Sequence, residues 1–554
     1  MPKSKKDKQG AARFETYYAL QHIVPDSEWP TFLKTLATPL PITFRITDAT
    51  HDGHAAWLEA EAARLGATRL PWYACGASTA WTFAGESRRG LRAARDAARD
   101  AALRDFLVSG TTSRNLSRQE AVSMVPALLL GAAPGWAVLD ACAAPGNKTA
   151  QLLERCGPGG LVVANDLSKK RSYALACHCA ARLGVRAARL VVASGDAARL
   201  PGPDGRFDGV LCDVPCSGDG TIRKAPRVRE AWACDGGDRL HGTQVAIARR
   251  CAALLRPGGR MVYSTCSLNP VENEAVVAEV LRLEPTLELA AAASPLPARP
   301  GLTTWAPCRD DGGGVARLDD DGGSRFPPKQ DAPPLERCLR FLPHDGDTGG
   351  FFCAVLEKRE AAPPPPPPPP PRAPPLVDGA YRPMGADAWA AVADFLDLAA
   401  APGHVMVRSE HGEAAWLLSD EARDEASRLQ AAGRAVEHAG VKILDRRGGG
   451  AAGGMPHRLC GDGVAALLPS LGDKRRLRLD AAAYAALLED GRTAAPDDVG
   501  VGSLVATLGD GELPIVLWKG AQRSASLMSS ADDVARLRGV LGRRRAEQAR
   551  CVLS

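Results

Sequence analysis

Between residues 135 and 360 short apolar runs alternate with stretches of helical periodicity, and that alternation leaves few folds open to the chain. Strand-like runs fall at 137–140, 161–164, 189–192, 207–213 and 260–264. Helical patterns fall at 149–156, 171–183, 244–255 and 271–283. A period that switches repeatedly between 2 and 3.6 residues predicts an α/β, Rossmann-like domain with a doubly wound parallel sheet. Ligands of such sheets sit outside the carboxyl ends of the strands, at the switch point of the winding, so the strand ends are where chemistry is sought.

The chain is too long, at 554 residues, for one core, and its 45% hydrophobic and 24% charged content is globular. A net charge of +5 is too mild to demand a polyanion partner. Lys3, Lys5, Lys6 and Lys8 mark residues 1–12 as a disordered basic tail. No run of about 18 apolar residues and no signal-peptide pattern occurs, which points to an intracellular protein with no membrane partner. The 15 cysteines lack paired CxxC spacing: Cys177-x-Cys179 and Cys212-x3-Cys216 have no companion His or Cys pair, so no metal site and no disulfide framework is expected. Pro363 to Pro371 form an unbroken proline run, read as a stiff spacer rather than an SH3- or WW-type ligand, and place a linker at 361–375. The Gly/Asp-rich segment 310–324 reads as a loop insertion, because a strand-like segment follows at 350–358. The glycines at 448–454 mark a further loop.

The first strand runs into Asp140-Ala-Cys142-Ala143-Ala144-Pro145-Gly146-Asn147-Lys148-Thr149 and then a helix. A turn of small residues lets the backbone approach a ligand, and the helix start offers free N–H groups. It is neither GxGxxG nor GxxxxGK[ST], which disfavours dinucleotides and nucleoside triphosphates. Asp166 ends the second strand, where it can accept from two ribose hydroxyls, and Asp196 follows the third, where it suits an adenine amino group. Each acid alone reads as a cap or turn residue. Together, beside the turn, they fit a ligand with adenosine and no phosphate, S-adenosylmethionine.

Strand four leads to Asp213-Val-Pro-Cys216-Ser-Gly, and strand five to Ser264-Thr-Cys266-Ser-Leu-Asn. Parallel neighbours bring both cysteines to one sheet edge. Cytosine C5 is too weak a nucleophile to take a methyl group directly, whereas a thiolate added at C6 makes C5 enamine-like. The C5 proton must then leave before the thiol can. Cys266, Cys216 and Asp213 supply a nucleophile, a proton acceptor and an acid for the N3/N4 edge of the base. Lys148 could favour a thiolate or contact the base.

The segments DACAAPGNKT, DVPCSGDGT and YSTCSLNPVENEAV resemble the signature motifs of the Sun-domain family of RNA 5-methylcytosine methyltransferases. The likeness continues through FETYYALQHIVP, PLPITFRIT, NLSRQEAVSM, FPPK and LERCLRFLPHDGDTGGFF, covers 14–358, and points to the eukaryotic tRNA-modifying branch. The resemblance implies a class I S-adenosylmethionine-dependent methyltransferase domain over 131–360. It adds an α+β RNA-binding extension over 13–130 and a mixed α/β or β-rich RNA-binding-like module over 376–546. It makes Cys266 the nucleophile and Cys216 the residue that helps release product. It maps the cofactor to Cys142, Ala143, Ala144, Pro145, Gly146, Asn147 and Lys148, with Asp166, Asp196 and Asp213. Ser168 departs from the acid often found two positions after the ribose-binding Asp.

The expected partner is tRNA, with other RNAs as further candidates, and the chain is expected to act as a monomer in the nucleus or nucleolus, with the cytoplasm as a second place. Arg88, Arg89, Arg92, Arg95 and Arg99, and Arg223, Lys224, Arg227 and Arg229, are candidate phosphate contacts. A DNA cytosine-5 methyltransferase would use Cys216 as nucleophile instead, and an idle RNA-binding scaffold would need none of Cys216, Cys266, Asp213 and Lys148. A nicotinamide-dependent dehydrogenase would need a glycine fingerprint that is missing.

Overall fold

The computed structural model describes residues 5–541 apart from 48–53, 77, 86–96, 113–114, 312–313, 361–379, 401–402, 409–413, 447–456, 510–511, 521–522, 530–533, 535–536 and 539–540. The proline run, the glycine loop at 448–454, and Arg88, Arg89, Arg92 and Arg95 lie outside the described residues.

The central sheet holds β1 (Ala137–Asp140), β2 (Leu161–Asp166), β3 (Leu190–Ser194), β4 (Phe207–Asp213), β5 (Leu255–Thr265), β6 (Leu339–Phe341), β7 (Phe351–Lys358) and β8 (Ala435–Ala439). Their order is β6-β7-β5-β4-β1-β2-β3-β8. β1 to β5 are mutually parallel, and β7 runs antiparallel between β5 and β6. The winding reverses between β1 and β4, so the strand ends there open a crevice.

Side-chain alternation divides each strand between two cores. Val138, Val162 and Val192 face α1 (Asn147–Cys156) and α2 (Lys169–Leu183). Leu139, Val163 and Val191 face the opposite layer, built from α3 (Asp235–Leu254), α4 (Glu274–Leu283) and α5 (Asp420–Ala431). α1 buries Thr149, Leu152, Leu153 and Cys156, the i, i+3, i+4, i+7 stripe of an amphipathic helix. Gly146 at φ 103 starts it and Gly157 at φ 55 stops it. α3 begins at Asp235, well before the expected 244: Asp235 and Asp238 in its first turn suit the positive end of the helix dipole and offset the glycines beside them.

Two regions depart from the sequence reading. The helix Lys5–Leu20 starts inside the segment expected to be a disordered tail. Its aromatic side, Phe14, Tyr17 and Tyr18, is buried against Trp232, which anchors the helix on the methyltransferase-like domain. Beyond the proline run the chain does not simply form a separate module. β8 adds antiparallel to β3, pairing Ala435 with Ser194 and Ala439 with Val191, while Ala422, Ala426 and Leu429 of α5 join the domain core. The rest of this region forms two five-stranded sheets, which include Lys442-Ile-Leu in Val441–Arg446 and the 513–518 run in Glu512–Lys519. In the Gly/Asp-rich segment, Cys308–Asp310 and Val315–Arg317 pair as a short hairpin.

An antiparallel four-stranded sheet, in the order Thr68–Arg69, Thr79–Phe83, Ile42–Ile46 and Leu116–Arg118, forms the N-terminal unit. Arg45 from its centre crosses to Glu154 on α1 at 3.0 Å, with side chains 1% and 2% exposed. Burial opposes the Arg45 charge, but Glu154 more than offsets it and the pKa rises. Glu154→Ala would strand a buried guanidinium, so the unfolding midpoint in urea should fall by an amount equivalent to ~3–5 kcal/mol. An unchanged midpoint would show that this pair does not hold the unit in place.

Candidate active site

The crevice at the ends of β1, β2 and β4 is lined with acids. Asp140, 1% exposed, accepts from Thr149 Oγ1 at 2.7 Å through one oxygen, and its other oxygen is buried without a partner. Burial pushes its carboxyl up to about 7. The turn after β1 is pinned from β2: Ala143 N donates to Asn165 O at 2.8 Å, and Ala144 N to Asp166 Oδ2 at 3.2 Å. Ala144–Pro145 is a cis peptide. Asn147 Oδ1 accepts from Ser117 Oγ at 3.0 Å, so this residue ties the turn to the N-terminal sheet. Cys142 is half-buried, and burial pushes its thiol up.

Asp166 is 3% exposed at the end of β2; its Oδ1 accepts from Ser168 N at 3.0 Å. Ser168 therefore supports the carboxylate through its backbone. Asn165 Nδ2 donates to Ala141 O and Gly195 O, both at 3.0 Å, which locks the three strand ends together. Asp196 follows Gly195 and caps a short 3-10 turn by accepting from Ala198 N at 3.0 Å.

Carboxylates and backbone groups, with no glycine cradle for phosphates, suit a cationic sulfonium that carries ribose hydroxyls and disfavour a polyphosphate. The unpartnered Asp140 Oδ1 and Asn165 Oδ1 add buried acceptors beside the same turn. The residues fit S-adenosylmethionine: Asp166 could hold the ribose, and the 142–148 turn and Asp196 the remainder.

At the next strand end, Lys148 Nζ lies 2.9 Å from Asp213 Oδ2 and 3.2 Å from Ser123 Oγ. Burial pushes the ammonium pKa down, but Asp213 outweighs burial and the net shift is upward, so Lys148 is charged. Ser264 Oγ donates to Asp213 Oδ1 at 2.7 Å. Cys216 and Cys266 lie beyond, with sulfurs 3.3 Å apart and both residues half-buried. The hydrogen bond to Cys266, followed by burial, pushes the Cys216 thiol well up.

All four chemistry-bearing residues expected from the sequence thus meet, as do the turn and its acids. The candidate phosphate contacts hold less well. Arg223 is 4% exposed; it donates to Thr38 O, Pro39 O and Thr348 O and pairs with Asp347 at 2.6 Å, so it is a structural cross-link. Arg229 pairs with Glu15. Lys224 and Arg227 remain exposed. Among the described residues, Glu28, His344 and Asp345 lie at metal-ligating spacing, but Arg299 donates to both carboxylates and its charge fills that place.

Sequence reasoning missed Ser123 and Ser264, although Ser264 shares its strand face with Cys266 by period-2 alternation. It also missed Arg434, which donates from beyond the proline run to Asp196 O at 2.9 Å and Arg199 O at 3.2 Å. A Cβ on Gly195 would meet its guanidinium at 1.6 Å, so glycine makes room for this contact. No local signal links residues so far apart.

The strand order, with β7 antiparallel beside β5, and the acids at the strand ends define a class I S-adenosylmethionine-dependent methyltransferase fold. Residues 127–357 match the family described as 16S rRNA methyltransferase RsmB/F. A tRNA (cytosine(34)-C(5))-methyltransferase of Drosophila melanogaster is 39% identical over 64% of this chain and 53% of its own length. A multisite-specific tRNA:(cytosine-C(5))-methyltransferase of Saccharomyces cerevisiae is 39% identical over 62% of this chain and 55% of its own. The chain thus spans little more than half the length of these relatives. The crystal structure of NSun6 from Pyrococcus horikoshii with SFG superposes with a TM-score of 0.46 at 19% identity, over 63% of this chain and 98% of that one.

Arg434→Ala should weaken S-adenosylhomocysteine binding about fivefold by calorimetry, the effect of ~1 kcal/mol of lost support for Asp196. Unchanged affinity would mean that the strand added by β8 is mechanically independent of the cofactor turn.

Proposed function

We propose that the chain is a tRNA cytosine-5 methyltransferase working through a covalent adduct between Cys266 and cytosine C6. The observation that carries this reading is the pair of sulfurs 3.3 Å apart at the ends of neighbouring parallel strands, beside Lys148 and Asp213. When bound, S-adenosylmethionine supplies the methyl group for C5. Cys266 is assigned as the attacking sulfur by the resemblance of its Thr-Cys motif, and Cys216 lies in contact with it at 3.3 Å. The bond from Cys266 to C6 makes C5 the nucleophilic carbon. Once C5 carries the methyl group, Cys216 as thiolate accepts the C5 proton, the C5=C6 bond re-forms as the C6–S bond breaks, and Cys266 leaves as thiolate. Cys216, in contact with the departing sulfur, promotes that release.

Asp213 and Lys148 together offer an acceptor and a charged donor. That pattern matches the N4 amino group and the O2/N3 side of cytosine. The base must leave its stack to meet groups on both faces, so a loop or flipped nucleotide is the expected form of substrate. The names of the fly and yeast relatives support tRNA as the RNA. In a DNA enzyme of the rival kind Cys216 would attack, and the raised Cys216 thiol disfavours it as the resting thiolate.

With tRNA and labelled S-adenosylmethionine, Cys266→Ala should form no denaturant-stable adduct and Cys216→Ala should accumulate one. The reverse pattern would exchange the two roles, and adducts on DNA alone would overturn the substrate. RNA affinity should fall steeply with salt if exposed groups such as Lys224 and Arg227 contact phosphates; a flat salt dependence removes that contact.

A further inference from the structure

Behind the two cysteines lies a buried acid that the proposed reaction does not use. Each cysteine is followed by a serine, and Glu272, fully buried, bonds both serines. Its Oε1 accepts from Ser217 N at 2.8 Å and Gln244 Nε2 at 3.1 Å. Its Oε2 lies 2.5 Å from Ser217 Oγ and 2.6 Å from Ser267 Oγ. The two hydroxyl oxygens are 3.0 Å apart, and Ser267 Oγ is also 3.1 Å from Asp219 Oδ1.

Proton counting favours one state of this cluster. These are four oxygen–oxygen contacts, and the two serines bring one hydroxyl proton each. An ionised Glu272 would leave two contacts as lone pair against lone pair, in a place where every carboxylate is fully buried. A proton on Glu272 Oε2 fills a third contact. Asp219 is not its carrier, since Asp219 accepts on both oxygens: from Leu268 N at 2.7 Å and Ser267 on one, from Trp232 Nε1 at 3.2 Å and the Tyr18 hydroxyl on the other.

We propose that Glu272, held as a neutral acid, is a positioning residue that sets the separation of Cys216 and Cys266 by bonding the residue after each. The assignment rests on the two-cysteine reading above. Burial, and then the neighbouring Asp219 charge, push the Glu272 carboxyl up, in the same direction as the proton count. Because the clamp grips two loops from different strands, it holds them at one spacing in a way that neither strand does alone. The loop after Cys216 is tied to Cys266 further on, where Gly220 N donates to Cys266 O at 3.0 Å, and Glu272 adds the hold next to the sulfurs themselves.

The full-length protein with tRNA tests this through two variants. Glu272→Gln keeps the Oε1 acceptor, and its amide places one N–H toward each serine hydroxyl, so every contact has a proton. Turnover within about twofold of wild type and an unchanged melting temperature are expected for it. Glu272→Ala should still attach RNA through Cys266 but release it slowly, so that the adduct builds up and kcat falls more than the single-turnover rate of attachment. Ser217→Ala removes one arm while leaving the backbone N–H, and should show the same defect more weakly even if Glu272→Ala fails to fold. A Glu272→Gln protein that accumulates adduct as Cys216→Ala does would overturn the neutral state. Ser217→Ala and Glu272→Ala proteins that turn over without adduct would overturn the clamp. Adduct on Cys266→Ala would instead overturn the two-cysteine reading beneath it.

Discussion

Everything at the reactive centre depends on the parallel pairing of β4 with β5. That ladder sets Cys212 opposite Tyr263 and Asp213 opposite Ser264, so the Pro-Cys and Thr-Cys loops leave the sheet side by side. A register shift of one residue would move the side chains of the strand to the other face and separate the sulfurs. β7, antiparallel on the far side of β5, pairs Phe352 with Thr265 and closes that flank. Phe351, next to it, lies under the Lys148 ammonium. The reactive edge is thus held by backbone ladders on both sides, and the side chains inherit their geometry from them.

Three further layers act on that edge. The polar cluster of Ser217, Ser267, Glu272 and Asp219 ties the two loops from beneath and reaches the N-terminal helix through Tyr18. The N-terminal unit reaches α1 through Arg45 and Glu154, and so braces the helix that carries Lys148. From the opposite end of the chain β8 covers the open edge at β3, and Arg434 supports Asp196. An uncovered edge strand would expose unpaired N–H and C=O groups, so the added strand also protects the sheet. Distant parts of the sequence therefore converge on one crevice, and the methyltransferase domain, as folded, is larger than the family match over 127–357.

The strand ends were legible from the sequence because each strand carries its own signal. Apolar runs of four to seven residues, each closed by Asp, Asn or a cysteine motif, mark where backbone order stops and ligand contact begins. Lys148 and Asp213 were legible as candidates, and the structure joins them at 2.9 Å. Arg223 was misread because charge alone does not reveal burial; its guanidinium satisfies backbone carbonyls that come together only in the fold. The tail was misread because lysines near the terminus mask the aromatic stripe that follows them. Glu272 looks in sequence like an acid just before a helix, and only the packing of two loops over it turns it into a bridge.

What the sequence by itself determined is the local chemistry: which strands form, which turn of small residues stands at the switch point, and which two cysteines stand at strand ends. Those properties follow from periodicity, steric limits and residue type over a few neighbours. The tertiary structure alone decided that the two sulfurs lie 3.3 Å apart. It also decided that one buried carboxyl meets the serines after both cysteines, and that a strand from beyond the proline run completes the sheet. Burial, proton sharing and strand addition depend on groups hundreds of residues apart, and their energies exist only after the chain has closed around them.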